Sequence, residues 1–348
     1  MMIIGCDYHP SWQQISWLEV ATGETGEKRL DHASGEAERF YRQLGAPTLI
    51  GMESTGNCQW FVELVTTLGH ELWVGDACKI RACDPRAQKH DRRDAELILK
   101  LLLDGRFPRI WTPSGEEKDL RQLLIHRYKL VRIRAQVKNA LQHLALNQGL
   151  QRKSRLWSEA GQKALCELPL APWASRRRED LLKMRSELDA KIDLLDQAVM
   201  EAAEKNEKAK LLMTQPGVGP ITSLAFVLTM GDVNRFPRGK QVASYLGLIP
   251  REYSSGGKQR LGSISKQGNR FMRMLMVEAA QGAARYDAEF RNEYLHRCHS
   301  KPKGVAKVAA ARKLAIRLYW MLRSNTKYPE IVRIESSSRV PLVVRHGG

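Results

Sequence analysis

Four carboxylates occupy positions where a carboxylate must be compensated or shared. Asp7 interrupts the apolar run Ile3-Ile4-Gly5-Cys6-Asp7, and Glu53 closes Thr48-Leu49-Ile50-Gly51-Met52-Glu53. Asp91 and Asp94 lie in Lys89-His90-Asp91-Arg92-Arg93-Asp94-Ala95, where a three-residue step at the start of a helical pattern puts them on one helix face. A carboxylate in an apolar strand is costly to bury unless something positive accompanies it, and a hard, oxygen-seeking cation does this best. The expected site is therefore Asp7, Glu53, Asp91 and Asp94 around Mg2+, able to activate a nucleophile and to stabilise the leaving oxygen of a phosphodiester. Each residue also has a plainer reading. An Asp at a strand end serves a turn or cap, and acidic residues in a first helical turn favour the positive end of the helix.

A second group is basic and hydroxylic. Tyr253-Ser254-Ser255-Gly256-Gly257-Lys258-Gln259-Arg260 and Gly262-Ser263-Ile264-Ser265-Lys266-Gln267-Gly268-Asn269-Arg270 have the composition of a loop, with Lys258, Arg260, Lys266 and Arg270 as expected nucleic-acid contacts around its serines. A serine held near a bound phosphate is chemically useful because its attack leaves a phosphoserine ester, which conserves the bond for rejoining. Pro216-Gly217-Val218-Gly219-Pro220 offers either backbone N–H groups to a phosphate at a helix N-terminus or a tight turn between packed helices.

These residues need positioning elements, and the hydrophobic pattern supplies them. Ile3–Asp7 and Gln14–Val20 read as an antiparallel hairpin ending near Thr22-Gly23-Glu24-Thr25-Gly26. Helices are expected over 36–44, 60–68 and 91–103, with strands over 48–53 and 70–74, which together give an α/β layer with a mixed sheet. Residues 116–146 and 179–204 read as long charged helices. In the second, Met184, Leu188, Ile192, Leu195, Val199 and Ala202 form one stripe, expected to pack on a second subunit in preference to its own chain. The segment between them, with Pro169, Pro172 and Arg176-Arg177-Arg178, reads as a turn with a basic patch. The divisions expected are 1–113, 114–206, 207–325 and a mobile tail over 326–348.

Among 348 residues, 56 Lys and Arg face 38 Asp and Glu, a net charge of +18 that attracts polyanions. Between Asn234 and Arg285 ten Lys or Arg stand against Glu252 and Glu278 alone, so nucleic acid is expected on this region. No run approaches the ~18 apolar residues of a membrane span, and the chain is read as cytoplasmic with no membrane partner. Six scattered cysteines without a CxxC pair read as buried, reduced thiols; Cys78, Cys83, His70 and His90 fit no standard zinc spacing.

Seven blocks carry a family resemblance: Gly5-Cys6-Asp7, Met52-Glu53-Ser54-Thr55-Gly56, Asp91-Arg92-Arg93-Asp94-Ala95, Pro216–Pro220, Tyr253-Ser254-Ser255-Gly256, Ile264–Asn269 and Ala311-Arg312-Lys313-Leu314-Ala315. In this order the chain resembles the transposases of insertion-sequence family one hundred and ten, the DEDD transposases, some of which are bridge-RNA-guided recombinases. The resemblance implies a RuvC-like domain of ribonuclease H type, a helical coiled-coil insertion and a mainly α-helical C-terminal transposase domain. It also implies that Asp7, Glu53, Asp91 and Asp94 are the acidic tetrad and Ser255 the nucleophile, with Ser254 beside it. The partners it implies are donor and target DNA, a noncoding bridge RNA and a homo-oligomer, dimer to tetramer. Cys6 departs from the small aliphatic residue that other members more often carry there. Two further readings stay open: a RuvC-like nuclease or junction resolvase that uses water, and a basic DNA-binding protein without catalysis.

Overall fold

Alternation along one strand decides how the N-terminal residues are layered. In β1 (Met2–Tyr8), Ile4, Cys6 and Tyr8 point to one face and Ile3 to the other. The first face packs on Tyr41 of α1 (Glu36–Gln43) and on Phe61 and Val65 of α2 (Gln59–Thr67). The second packs on Ile80 of α3 (Ala77–Ala82) and on Ile98, Leu101 and Leu102 of α4 (Asp91–Leu103). The remaining strands are β2 (Trp12–Glu19), β3 (Thr25–Asp31), β4 (Leu49–Glu53) and β5 (Glu71–Gly75). The order is β3-β2-β1-β4-β5, with β1, β2 and β3 antiparallel and the β1–β4 and β4–β5 pairs parallel. This five-stranded mixed sheet is the architecture expected of a RuvC-like DEDD domain. The computed structural model describes residues 1–45, 47–84, 91–151, 154–254, 258 and 260–337.

Two glycines bring α4 down onto the sheet. Gly5 and Gly51 are register partners on β1 and β4. A Cβ on Gly5 would lie 2.3 Å from the Ala95 carbonyl oxygen and 2.4 Å from the Leu99 nitrogen, and one on Gly51 would lie 2.7 Å from Leu102 Cδ1. At Gly5 the helix backbone therefore rests where any side chain would stand, and at Gly51 the Leu102 side chain fills that space.

The chain divides between Thr112 and Pro113 into two compact units. The second begins with α5 (Gly115–Asn147), opened by a reciprocal cap between Ser114 and Glu117. After a short 3-10 turn (Ser154–Trp157) and α6 (Glu159–Cys166), the long α7 (Pro172–Glu204) runs back along α5. Leu188 joins Val137, Leu141 and Leu144, and ion pairs link Arg127 to Asp196 and Arg134 to Asp189. Next come α8 (Glu207–Met213), α9 (Pro220–Met230), α10 (Gly239–Tyr245), the hairpin of β6 (Pro250–Glu252) and β7 (Leu261–Ile264), and α11 (Arg270–Tyr286). The unit closes with α12 (Ala288–Ser300), α13 (Lys303–Ser324) and α14 (Tyr328–Ser337). Apolar α9 is the centre of its core, buried from Thr222 to Met230.

Several expectations are corrected. Leu188, Ile192 and Val199 of the stripe are buried within this chain and not left for a second subunit, whereas Met184 stands 46% exposed. Arg176–Arg178 lie in the opening turns of α7, because Pro172 starts that helix instead of breaking it. The tail expected from 326 contains α14, whose Ile331 is buried in the helical core; 338–348 lie outside the described residues. The segment expected to end the first hairpin starts a third strand, β3. All six cysteines are free, but only Cys6 is buried. Among the described residues no helix is long and apolar enough to cross a membrane.

The contact at Gly5 is testable. Gly5→Ala should lower unfolding stability by about 1–3 kcal/mol, the usual cost of overpacking, whereas Gly45→Ala, whose Cβ meets nothing within 4 Å, should be close to neutral in denaturant titrations.

Candidate active site

The seating of α4 on Gly5 brings its first turn to the end of β1. Ala95 lies over Gly5, Asp91 and Asp94 precede it by one turn or less, and Asp7 follows Gly5 by two residues on the same strand face. Asp7 is 8% exposed. Its Oδ2 lies 3.1 Å from His9 Nε2, which is 4.0 Å from Asp91 Oδ1. Among the described residues, Asp7, His9 and Asp91 form the group whose potential metal-binding atoms all lie within 4.8 Å of one another. Glu53 ends the neighbouring parallel strand, two residues past Gly51 and so on the same face, and Asp94 is half-buried on α4; both stand outside that tight group.

His9 escaped the sequence reading. Its only signal is the Asp7-Tyr8-His9 step, which returns a side chain to the Asp7 face. The imidazole is stacked on Trp12, with ring centroids 4.1 Å apart and planes inclined by 24°. Burial raises the Asp7 carboxyl above its ordinary range; His9 opposes this by charge and hydrogen bond, and Asp94 and Asp91 push it further up. A carboxylate that resists ionisation because it is buried, with two further carboxylates adding to the effect, is one that a bound cation would relieve. The oxygen and imidazole donors suit a divalent ion.

The serine loop is partly visible. Ser255 lies outside the described residues. Ser254 Oγ donates to Glu252 Oε1 at 2.6 Å and accepts from the Arg260 backbone N–H at 3.1 Å, so its hydroxyl braces the β6–β7 hairpin. Lys258, Arg260, Lys266 and Arg270 are all exposed, and Asn269 caps the helix that Arg270 begins. Gly217, at φ +84°, presses on α11: a Cβ there would lie 2.2 Å from the Ala283 nitrogen. That approach favours the packed-turn reading of Pro216–Pro220. The zinc alternative loses His70, which is buried against the Tyr41 carbonyl, while His90 lies outside the described residues.

Comparison with known proteins gives two family matches on this chain. Residues 4–148 match the DEDD transposase model of the IS110 type, and residues 209–295 match the model described as the transposase IS116/IS110/IS902 family. A probable family 20 transposase of Pseudomonas aeruginosa is 30% identical over 82% of this chain and 86% of its own length. The chain belongs to the IS110 family of transposases. The transposase for insertion sequence element IS1328 of Yersinia enterocolitica is 28% identical over 80% of this chain and 84% of its own. A pilin gene-inverting protein of Moraxella bovis is 32% identical over 36% of this chain and 40% of its own. This IS110-family protein is thus a DNA transposase, and its DEDD domain implies a divalent metal, for which Asp7, His9 and Asp91 are grouped donors.

The electrostatics give a signed expectation. Because the folded Asp7 binds its proton more tightly than the unfolded chain does, its stabilising contribution is present below the ordinary Asp range and is lost as pH rises through the raised value. In metal-free protein Asp7→Asn should therefore raise the thermal midpoint at neutral pH, and the gain should shrink towards strongly acidic pH. Equal midpoints across the range would contradict the assignment.

Proposed function

We propose that this transposase cuts and rejoins DNA with Mg2+ held by its acidic tetrad, Ser255 as nucleophile and a noncoding bridge RNA as guide. The observation that carries the reading is the Asp7–His9–Asp91 group in a chain of this family, with a buried carboxylate whose neighbours call for a cation. Asp7 and Asp91 would hold the ion, with Glu53 and Asp94 completing the tetrad. When bound, the ion supplies charge for the phosphodiester oxygens and eases departure of the leaving group.

The residues divide the remaining work. His9, fixed on Trp12, orients the Asp7 carboxylate. Lys258, Arg260, Lys266 and Arg270 bind the backbone beside the serine loop. Ser255 gives up its proton as the Oγ–P bond forms and the P–O bond to the leaving deoxyribose breaks. The leaving oxygen takes up a proton, and the strand is retained as a phosphoserine ester. Attack by a second strand's hydroxyl reverses these changes and frees the serine. Assembly into a dimer or tetramer is supported by apolar groups left open on α7, where Leu194 is 66% and Met200 47% exposed.

Two variants test the reading with labelled donor and target DNA, the RNA encoded beside the gene, and magnesium. Glu53→Gln should lose strand cleavage by a factor of about 10³ or more while binding DNA within about twofold of wild type. Ser255→Ala should lose the covalent protein–DNA adduct that survives denaturation, and Ser254→Ala should keep it. Cleavage by Glu53→Gln at the wild-type rate would overturn the metal site, and wild-type cleavage without any adduct would replace the serine with water.

A further inference from the structure

A polyanion approaching three or more carboxylates is repelled, so a fixed cation beside them has a defined task. Strand register identifies where one stands. Asp7 pairs with Gln14 across β1–β2, and Gln14 pairs with Arg29 across β2–β3. Directly opposed residues share a sheet face, so Asp7, Gln14 and Arg29 form one row on the face that carries α4. Two inter-strand steps of roughly 4.8 Å put Arg29 about 10 Å from Asp7 along that row.

Gln14 and Arg29 of the row border a cavity of about 390 Å³, lined also by Trp12, Glu27, Lys28, Asp91 and Arg92. Three of these residues are cations, and two of them are paired: Lys28 with Glu36 at 2.9 Å, and Arg92 with Glu27. Among the described residues Arg29 forms no ion pair. Its guanidinium carbon lies 4.1 Å from the centroid of Trp12, the ring that also carries His9. Stacking holds the planar fork in place and leaves its N–H donors in the ring plane, open to an anion.

We propose that Arg29, laid on Trp12, is a phosphate subsite that grips the DNA backbone roughly one to two nucleotides from the scissile bond. The span from Asp7 matches that many backbone steps, and the bidentate fork matches a phosphate's paired oxygens. Gln14, midway along the row, offers an amide to the intervening linkage. Trp12 thus couples the subsite to His9, so the strand and the reacting carboxylates are aligned on one ring. The subsite rests on the reading that Asp7 and Asp91 receive the reacting phosphate.

The test uses full-length protein and a fluorescein-labelled duplex of the element's own end, with single methylphosphonate linkages walked across the cut. Arg29→Ala should weaken binding about 3- to 10-fold at fixed salt and flatten the slope of log affinity against log salt by about 0.7–0.9. Neutralising the gripped phosphate should weaken wild type but leave Arg29→Ala unchanged, while Arg29→Lys should recover the salt slope. An Arg29→Ala protein with the wild-type affinity and the wild-type methylphosphonate profile would overturn the subsite, as would sensitivity only at phosphates beyond reach of the row. Asp7→Asn, run in parallel for cleavage, separates the two readings: its loss of cleavage with an indifferent Arg29 sinks the subsite alone, whereas wild-type cleavage by Asp7→Asn sinks the active site that the subsite serves.

Discussion

The closeness of a helix to a sheet governs the acidic site. Gly5 and Gly51, paired in register on adjacent parallel strands, leave a trough into which the backbone of α4 settles. Any side chain at Gly5 would meet the α4 backbone, lift the helix and carry Asp91 and Asp94 away from Asp7, while one at Gly51 would displace the Leu102 side chain. Sequence, packing and chemistry meet at that point: the missing side chain of Gly5 sets the helix height, and the height sets the spacing of carboxylates that belong to different elements.

The electrostatic design follows from this geometry. Burying Asp7, and to a lesser extent setting it near Asp94 and Asp91, raises its proton affinity and the free energy of the ionised, metal-free site. Local strain of this kind is tolerated when the surrounding structure overdetermines it, here by apolar packing on both faces of the sheet. The net charge of +18 works at a different scale. It attracts nucleic acid from a distance, while a stacked cation such as Arg29 gives the attraction a local geometry.

Much of this was legible in the residues. The span Asp91–Leu103 followed from apolar periodicity, and it is the helix observed. Asp7 stood out because charge inside an apolar strand demands a reason, and the structure brings it beside Asp91. His9 did not stand out, since a single imidazole just after a strand has no periodicity to betray it. The Asp7–Gln14–Arg29 row needs the hairpin register, which depends on how two strands align and on no single residue. The stripe on α7 announced a buried face correctly, but a face does not name its partner, and α5 of the same chain provided it. In α14, too, the buried residue Ile331 packs into the helical core.

The central claim is that α4, seated on the paired glycines, builds a divalent-cation site from Asp7 and Asp91. Anomalous diffraction from crystals of the full-length protein grown with manganese tests it most directly, because manganese occupies oxygen-ligand sites of this kind and marks its own position. The account predicts a peak bound by carboxylate oxygens of both Asp7 and Asp91, absent in Asp7→Asn crystals. A peak elsewhere in the chain, or one that persists between these residues after Asp7→Asn, would contradict it.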